Sequence, residues 1–268
     1  MVIDDLLSSQ NYKSGYNLIL NSFIREYDIS KANINALYSR GVIDKNIYDN
    51  LYTADKAIRE KTIGLMIKND KNIYKEIQAG IIDAKYKLIT ENNIDLEDIV
   101  SIKNDAVFVK DEKIEFTKFV YMDFKLKNTY TLYLKIERYE FYYYYNSYTK
   151  EEKLDVKGIN DSKLILHKDY FMDFLLALFN TLQLEGIVEA LSLLKNFSLS
   201  YIKRDFPIGY YREFNSESGY RLEDDYYIYK LSAATEYDKH LIDIRYNYEI
   251  LRDIYGLLVS FYFKKARQ

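Results

Sequence analysis

The sequence predicts an α+β fold, in which an antiparallel sheet carries helices on one face and a helical subdomain follows. Apolar residues in the first third of the chain recur at helical spacing. Over Ile99–Val156 the spacing approaches two residues, which is typical of strands with one buried face. The helical spacing returns after residue 166. We therefore expect a mixed domain at 1–160 and a mainly helical domain at 161–268.

One strand and four helices are predicted before the sheet region. Phe23–Ile29 has strand character and carries Asp28 near its end, whereas Asp4–Ser22 has no clean period and is interpreted as helix or loop. Ser30 is predicted to be the N-cap of the first helix. The helices are predicted over Ser30–Tyr38, Asp44–Tyr52, Ala54–Lys68 and Lys71–Glu91. The last of these has an apolar stripe at Ile73, Ile77, Ile81, Ala84 and Leu88.

A polar tight turn at Lys103–Asp105 separates two apolar runs, Ile99–Ile102 and Ala106–Val109, and this pattern predicts a β-hairpin. The strands that follow are predicted from their aromatic and β-branched residues. They cover Phe116–Phe124, Tyr130–Glu137, Tyr139–Tyr145 and Leu154–Val156. Later helices are predicted over Tyr170–Leu182, Gly186–Tyr201 and about Tyr246–Phe263.

The composition excludes several classes of protein. The 268 residues include 38 Lys and Arg against 41 Asp and Glu, so a generally basic nucleic-acid coat is excluded. Cys is absent, and the two His, His167 and His240, make a zinc centre improbable. No apolar run approaches the length of a membrane span, and the acidic N-terminus does not resemble a signal peptide. We expect a cytoplasmic protein.

Tyrosine occurs 30 times, and Ile, Lys and Asn are also common. These residues have AT-rich codons, so genome bias, for example in a bacteriophage, explains them. A stacking surface for nucleic-acid bases is the functional alternative.

Two carboxylates lie at predicted strand ends, Asp28 after the first strand and Asp105 in the hairpin turn. If these strands are neighbours in one antiparallel sheet, both carboxylates project from the same edge. Oxygen ligands in that arrangement suit Mg²⁺, and a pair of such ions supports phosphoryl transfer. The alternative is that Asp28 only begins a helix and Asp105 only forms a turn.

The sequence around both aspartates resembles motifs of family B DNA polymerases. Glu26–Asn35 is similar to the family's strand that ends in Asp and leads into a helix, and Val100–Val109 is similar to its Asp-Thr-Asp hairpin. Further similar segments follow in the family's order: Lys127–Tyr130, Leu154–Ile159, His167–Asp169 and Ile244–Ile250. The resemblance covers Phe23 to the C-terminus. It implies a palm-like sheet followed by a thumb-like helical subdomain, without the exonuclease domain.

The resemblance also implies roles for individual residues. Asp28 and Asp105 are the catalytic residues, which hold Mg²⁺ or Mn²⁺. The residues implied to contact a primer–template duplex are Lys127, Tyr130, Lys157 and Lys168. Nucleotide contacts are implied at Asn33 and Arg59, although lysines and arginines of this kind are also typical of a solvated surface.

The chain departs from the family pattern at several positions. Lys103 stands where the hairpin has its first Asp, and Asn33 stands where the family has a tyrosine under the incoming sugar. The interval between Asp28 and Asp105 is too short for a full fingers domain, so another subunit would have to supply the fingers.

Three functions therefore stay open. The first is a two-metal nucleotidyltransferase or a subunit of a split polymerase. The second is a catalytically inactive, nucleic-acid-binding or structural subunit of a replication or transcription complex. The third is a protein-interaction domain without nucleic acid, because tyrosine is enriched at interfaces.

Overall fold

The computed structural model describes residues 3, 11–111, 124–137, 139–159, 171–203, 205–206, 222–223, 226–227 and 250–264. Within these ranges the chain has helices and a seven-stranded sheet, which confirms the α+β class. The strands are β1 (Asn11–Lys13), β2 (Leu18–Ile29), β3 (Ile99–Lys103), β4 (Ala106–Lys110), β5 (Phe124–Ile136), β6 (Tyr139–Tyr145) and β7 (Glu152–Lys157). Their order is β1-β3-β4-β2-β5-β6-β7, and the pairs with a described register are antiparallel.

The chain forms two compact units. The first contains Met1–Tyr16 and Ser22–Tyr130, and the second contains Asn17–Asn21 and Thr131–Gln268. The division differs from the predicted domains, 1–160 and 161–268, because β2 and β5 each continue from one unit into the other. The predicted boundary, between residues 160 and 161, lies outside the described residues.

Four helices pack with the strands of the first unit. They are α1 (Ala32–Ser39), α2 (Lys45–Thr53), α3 (Lys56–Asn69) and α4 (Asn72–Glu91). Their shared core includes Tyr27 and Ile29 of β2, together with the buried stripe of α4. Because side chains alternate along a strand, Glu26 and Asp28 point to the opposite face of the sheet.

The starts of the first two helices differ in how they are capped. The Asp44 carboxylate accepts a hydrogen bond from the Ile47 amide at 2.9 Å, as in a regular N-cap. The predicted cap Ser30 does not act in this way, because α1 begins two residues later. Lys31 precedes α1 in the left-handed conformation at φ 49° and provides no side-chain cap. The chain therefore makes a tight turn between β2 and α1.

The second unit has its own core. Helices α5 (Asp173–Leu184) and α6 (Ile187–Lys203) are joined at Gly186, whose φ of 106° favours glycine. Residues 250–264 form a further helix, α7. These helices pack against alternate residues of β5 and β6, namely Leu132, Leu134, Phe141 and Tyr143.

Some predicted elements cannot be compared with the structure. Residues 116–123 of a predicted strand, the region around Pro207 and both histidines lie outside the described residues. Two short strands in the later part of the chain, Leu222–Glu223 and Tyr226–Tyr227, pair with each other in antiparallel orientation. No helix within the described ranges is long and apolar enough to cross a membrane.

We expect Gly80→Ala to destabilise the protein by about 1–3 kcal/mol, because the added methyl group overpacks the core. Helices α1 and α4 approach closely at this point, and a Cβ on Gly80 would lie 2.8 Å from the Cβ of Ala36. Urea unfolding followed by circular dichroism measures the change.

Gly64→Ala is the matched control, because Gly64 is a helical glycine of α3 where an added Cβ would meet nothing within 4 Å. This variant should be more stable than the wild type by about 0.5–1 kcal/mol, owing to helix propensity alone. Equal stability gains in both variants would contradict the close approach at Gly80.

Candidate functional site

The pairing of β2 with β4 brings Asp28 and Asp105 together. In this antiparallel pair Asp28 lies opposite Ala106. The Ile29 amide donates a hydrogen bond to the Asp105 carbonyl at 3.3 Å, just beyond the paired residues. The two aspartates, distant in sequence, therefore lie side by side where β2 ends and the hairpin turns.

A pocket of about 210 Å³ lies at this edge of the sheet. Asp28 and Asp105 are on its wall together with residues of the β2–α1 turn, α1 and α3. The other lining residues are Ile29, Lys31, Ala32, Asn33, Ile34, Lys56, Arg59, Glu60 and Ile63. The pocket thus combines three carboxylates, of which Asp28 and Asp105 are neighbours, with three basic side chains.

The two carboxylates influence each other. Burial raises the pKa of the Asp105 carboxyl, and the negative charge of Asp28 raises this pKa further. The ammonium groups of Lys127 and Lys85 act in the opposite direction, but the pKa of Asp105 stays above its ordinary value. An additional cation at this position would therefore stabilise the ionised pair.

Lys127 of β5 provides one cation. Its Nζ lies 3.4 Å from Asp28 Oδ2 and 3.4 Å from Glu26 Oε1. Glu26 is buried, and its carboxylate also accepts hydrogen bonds from the Asn128 amide and, at 3.0 Å, from the Tyr130 hydroxyl. Burial lowers the pKa of Lys127, but the two carboxylates more than offset this effect, so its pKa is raised.

Lys85 of α4 provides a second cation beneath the hairpin. Its side chain is buried, with 1% of its surface exposed, and its Nζ donates a hydrogen bond to the Asn104 carbonyl at 3.0 Å. Burial lowers the pKa of Lys85 to about 8, although the Asp105 charge partly opposes the shift. Lys85 thus connects the helix to the turn that carries Asp105.

Lys31, one of the basic residues that line the pocket, lies near two other cations. Burial lowers the pKa of Lys31, and the positive charges of Arg59 and Lys125 lower it further. The Lys31 Nζ lies 3.4 Å from the centroid of the Tyr52 ring and donates a hydrogen bond to the Tyr52 carbonyl. Mutual repulsion among these cations favours an anionic ligand near Lys31.

The residues predicted for nucleotide contact, Asn33 and Arg59, line the same pocket as the two aspartates. Lys157 lies in β7 of the second unit and is partly exposed, and Lys168 lies outside the described residues. Tyr130 requires a correction, because its side chain is fully buried and bonds to Glu26. Packing thus leaves no exposed face of Tyr130 for nucleic acid.

Sequence reasoning missed Glu26, Lys31 and Lys85. Glu26 gives no signal, because a charged residue in a strand is ordinarily solvated. Lys85 does give one, since it lies four residues after Ile81 and adjacent to Ala84 on the apolar stripe of α4. A lysine at such a position indicates a buried ammonium with a polar partner.

The chemistry of the two carboxylates fits a divalent cation such as Mg²⁺, which takes oxygen ligands from one or two carboxylates and leaves positions for substrate phosphates. The described residues contain no group of three or more Asp, Glu, His or Cys that would hold a metal. Any ion at Asp28 and Asp105 would therefore need additional ligands from water or substrate.

A family model described as Bacteriophage PBS1 gene 130 protein matches residues 2–260. The chain belongs to this family. No curated protein matches the sequence. The gene 130 family description names a phage protein, which agrees with the phage source expected from composition, and it names no activity. The resemblance to family B polymerases stays a hypothesis.

The buried ammonium of Lys85 should make stability depend on pH. Its pKa is about 8 in the folded chain against about 10.4 when unfolded, so the unfolded state binds more protons between these values. Wild-type stability should therefore rise by about 2 kcal/mol, relative to Lys85→Met, between pH 7.5 and 10. Urea unfolding at each pH measures the difference.

Lys75→Met, at an exposed position of the same helix, is the control and should follow the wild-type pH dependence. Parallel curves for the wild type and Lys85→Met would show that Lys85 titrates normally in the folded chain.

Proposed function

We propose that this chain is a divergent, polymerase-like nucleotidyltransferase that binds a nucleoside triphosphate in the pocket and extends a primer. The observation that carries the proposal is the meeting of Asp28 and Asp105 in one pocket that Lys31, Lys56 and Arg59 also line. Carboxylates beside cations suit a metal-bound polyphosphate, because each part of that ligand meets the opposite charge.

In this proposal Asp28 and Asp105 hold Mg²⁺ or Mn²⁺. When bound, the ion polarises phosphoryl oxygens and neutralises charge that develops during transfer. Lys31 and Arg59 orient the phosphates, and the Asn33 amide hydrogen-bonds to the nucleotide at the position where the polymerase family has a tyrosine. The chain's own contribution is mainly positioning and electrostatic stabilisation.

The order of elements supports a palm-like role for the first unit. Strand β2 ends beside Asp28 and leads into α1, and the long helix α4 precedes the β3–β4 hairpin, as the resemblance implies. In the second unit, α5 and α6 would be the thumb-like helices, and Lys157 would contact the duplex. Another subunit would supply the fingers. As a phage protein, the enzyme would act in the cytoplasm of the infected host.

A catalytically inactive nucleic-acid-binding subunit is the second candidate. The ion pair of Lys127 with Asp28 favours it, because an ammonium next to a ligand carboxylate competes with a divalent ion. Lys103 stands in place of the first aspartate of the hairpin, and its positive charge also opposes the binding of a divalent ion.

Primer extension on a labelled primer–template with Mg²⁺ or Mn²⁺ tests the proposal. If the isolated chain is inactive, the assay is repeated with the proteins that co-purify from infected cells. Asp28→Asn and Asp105→Asn should each reduce extension at least about 100-fold, since each removes a charge that stabilises the reacting phosphates.

Asp49→Asn, at an exposed position of α2, is the control and should extend primers at the wild-type rate. Salt-sensitive binding of DNA or RNA without extension in either preparation would support the inactive subunit instead. Absence of both extension and nucleic-acid binding would contradict both candidates and favour a protein-interaction domain.

A further inference from the structure

We infer that the Lys127 ammonium is a built-in cation beside Asp28, so that the pocket lined by Asp28 and Asp105 binds one divalent ion rather than two. The inference rests on the metal site of the proposed function. It replaces the implied role of Lys127 in gripping nucleic acid with a role next to Asp28.

The surroundings of Lys127 hold its ammonium in place. Glu26 lies two residues before Asp28 on the same face of β2, and only 3% of its side chain is exposed. Asn128 and Tyr130, from the same strand as Lys127, donate hydrogen bonds to Glu26 Oε2, and Oε1 is the atom nearest Lys127. A buried carboxylate fixed in this way needs a cation, and Lys127 supplies it.

The position of the ammonium also affects Asp28. Lys127 Nζ is 3.4 Å from Asp28 Oδ2, a distance at which a unit charge acts strongly on any second cation at that oxygen. A divalent ion that used the same oxygen would meet direct repulsion. Asp105 lies in the same pocket, and it is the carboxylate left for a divalent ion, with the other Asp28 oxygen beside it.

The supply of ligands leads to the same conclusion. Two ions about 3.5–4 Å apart are ordinarily bridged and flanked by several carboxylates. In the described part of the chain, the carboxylates that line the pocket are Asp28, Asp105 and Glu60 of α3. No group of three potential metal ligands exists among the residues described. One ion, completed by water and phosphate oxygens, matches this supply.

Binding of Mn²⁺ to the full chain tests the inference without an activity assay. The electron paramagnetic resonance signal of free Mn²⁺, followed during titration, gives the number of bound ions and their affinity. We expect one ion per wild-type chain and loss of this ion in Asp105→Asn. Lys127→Met should bind Mn²⁺ at least about tenfold more tightly, because the repulsion at Asp28 is removed.

Lys127→Arg keeps the charge and should keep the wild-type affinity for Mn²⁺, and Lys75→Met is a control for the loss of a distant positive charge. Two ions in the wild type would overturn the inference, as would unchanged affinity in a Lys127→Met chain with native circular dichroism. The wild-type count needs no variant, so it decides the question even if Lys127→Met does not fold. Two ions together with primer extension would leave the proposed function intact, whereas no bound ion would overturn both.

Discussion

The candidate site depends on the register of β2 against β4. The hydrogen bond from the Ile29 amide to the Asp105 carbonyl joins the end of one strand to the turn of the hairpin. A slip of one residue would exchange the two faces of β2 and turn Glu26 and Asp28 toward the apolar core of Tyr27 and Ile29. Burial of unpaired carboxylates is costly, so the apolar packing that fixes the register also fixes the site.

Two lysines offset the negative charge of the carboxylates. They come from different elements, and their burial and partners differ. Lys85 comes from a helix, is buried, and bonds to the Asn104 carbonyl, so it supports the turn at the expense of a lowered pKa. Lys127 comes from a strand, is half exposed, and has a raised pKa because it contacts Glu26 and Asp28 directly. The first lysine therefore orients Asp105 through the backbone, whereas the second acts on Asp28 by charge.

The sequence predicts the elements whose periodicity is long or whose turns are distinct. Helix α4 and the β3–β4 hairpin fall within a residue or two of their predicted bounds, because a stripe of several turns and a polar turn between apolar runs leave few alternatives. Strand β1 escapes prediction, since three residues at a sheet position have no period. The places of Asp28 and Asp105 at strand ends identify them in the sequence, but the partners of Glu26 are about 100 positions away and only tertiary structure brings them together.

Lys103 and Lys127 both add positive charge near the candidate metal site, and the site differs there from the polymerase-like motifs. Lys103 stands where the family's hairpin has an aspartate, which changes the local charge by two units. Lys127 adds an ammonium next to Asp28, one of the two proposed ligands. Both features reduce the negative charge that would hold a second divalent ion, while Asp105 keeps its position in the pocket. A site for a single ion would explain why Lys103 and Lys127 are both present. A site for two ions would have to bind them despite both positive charges.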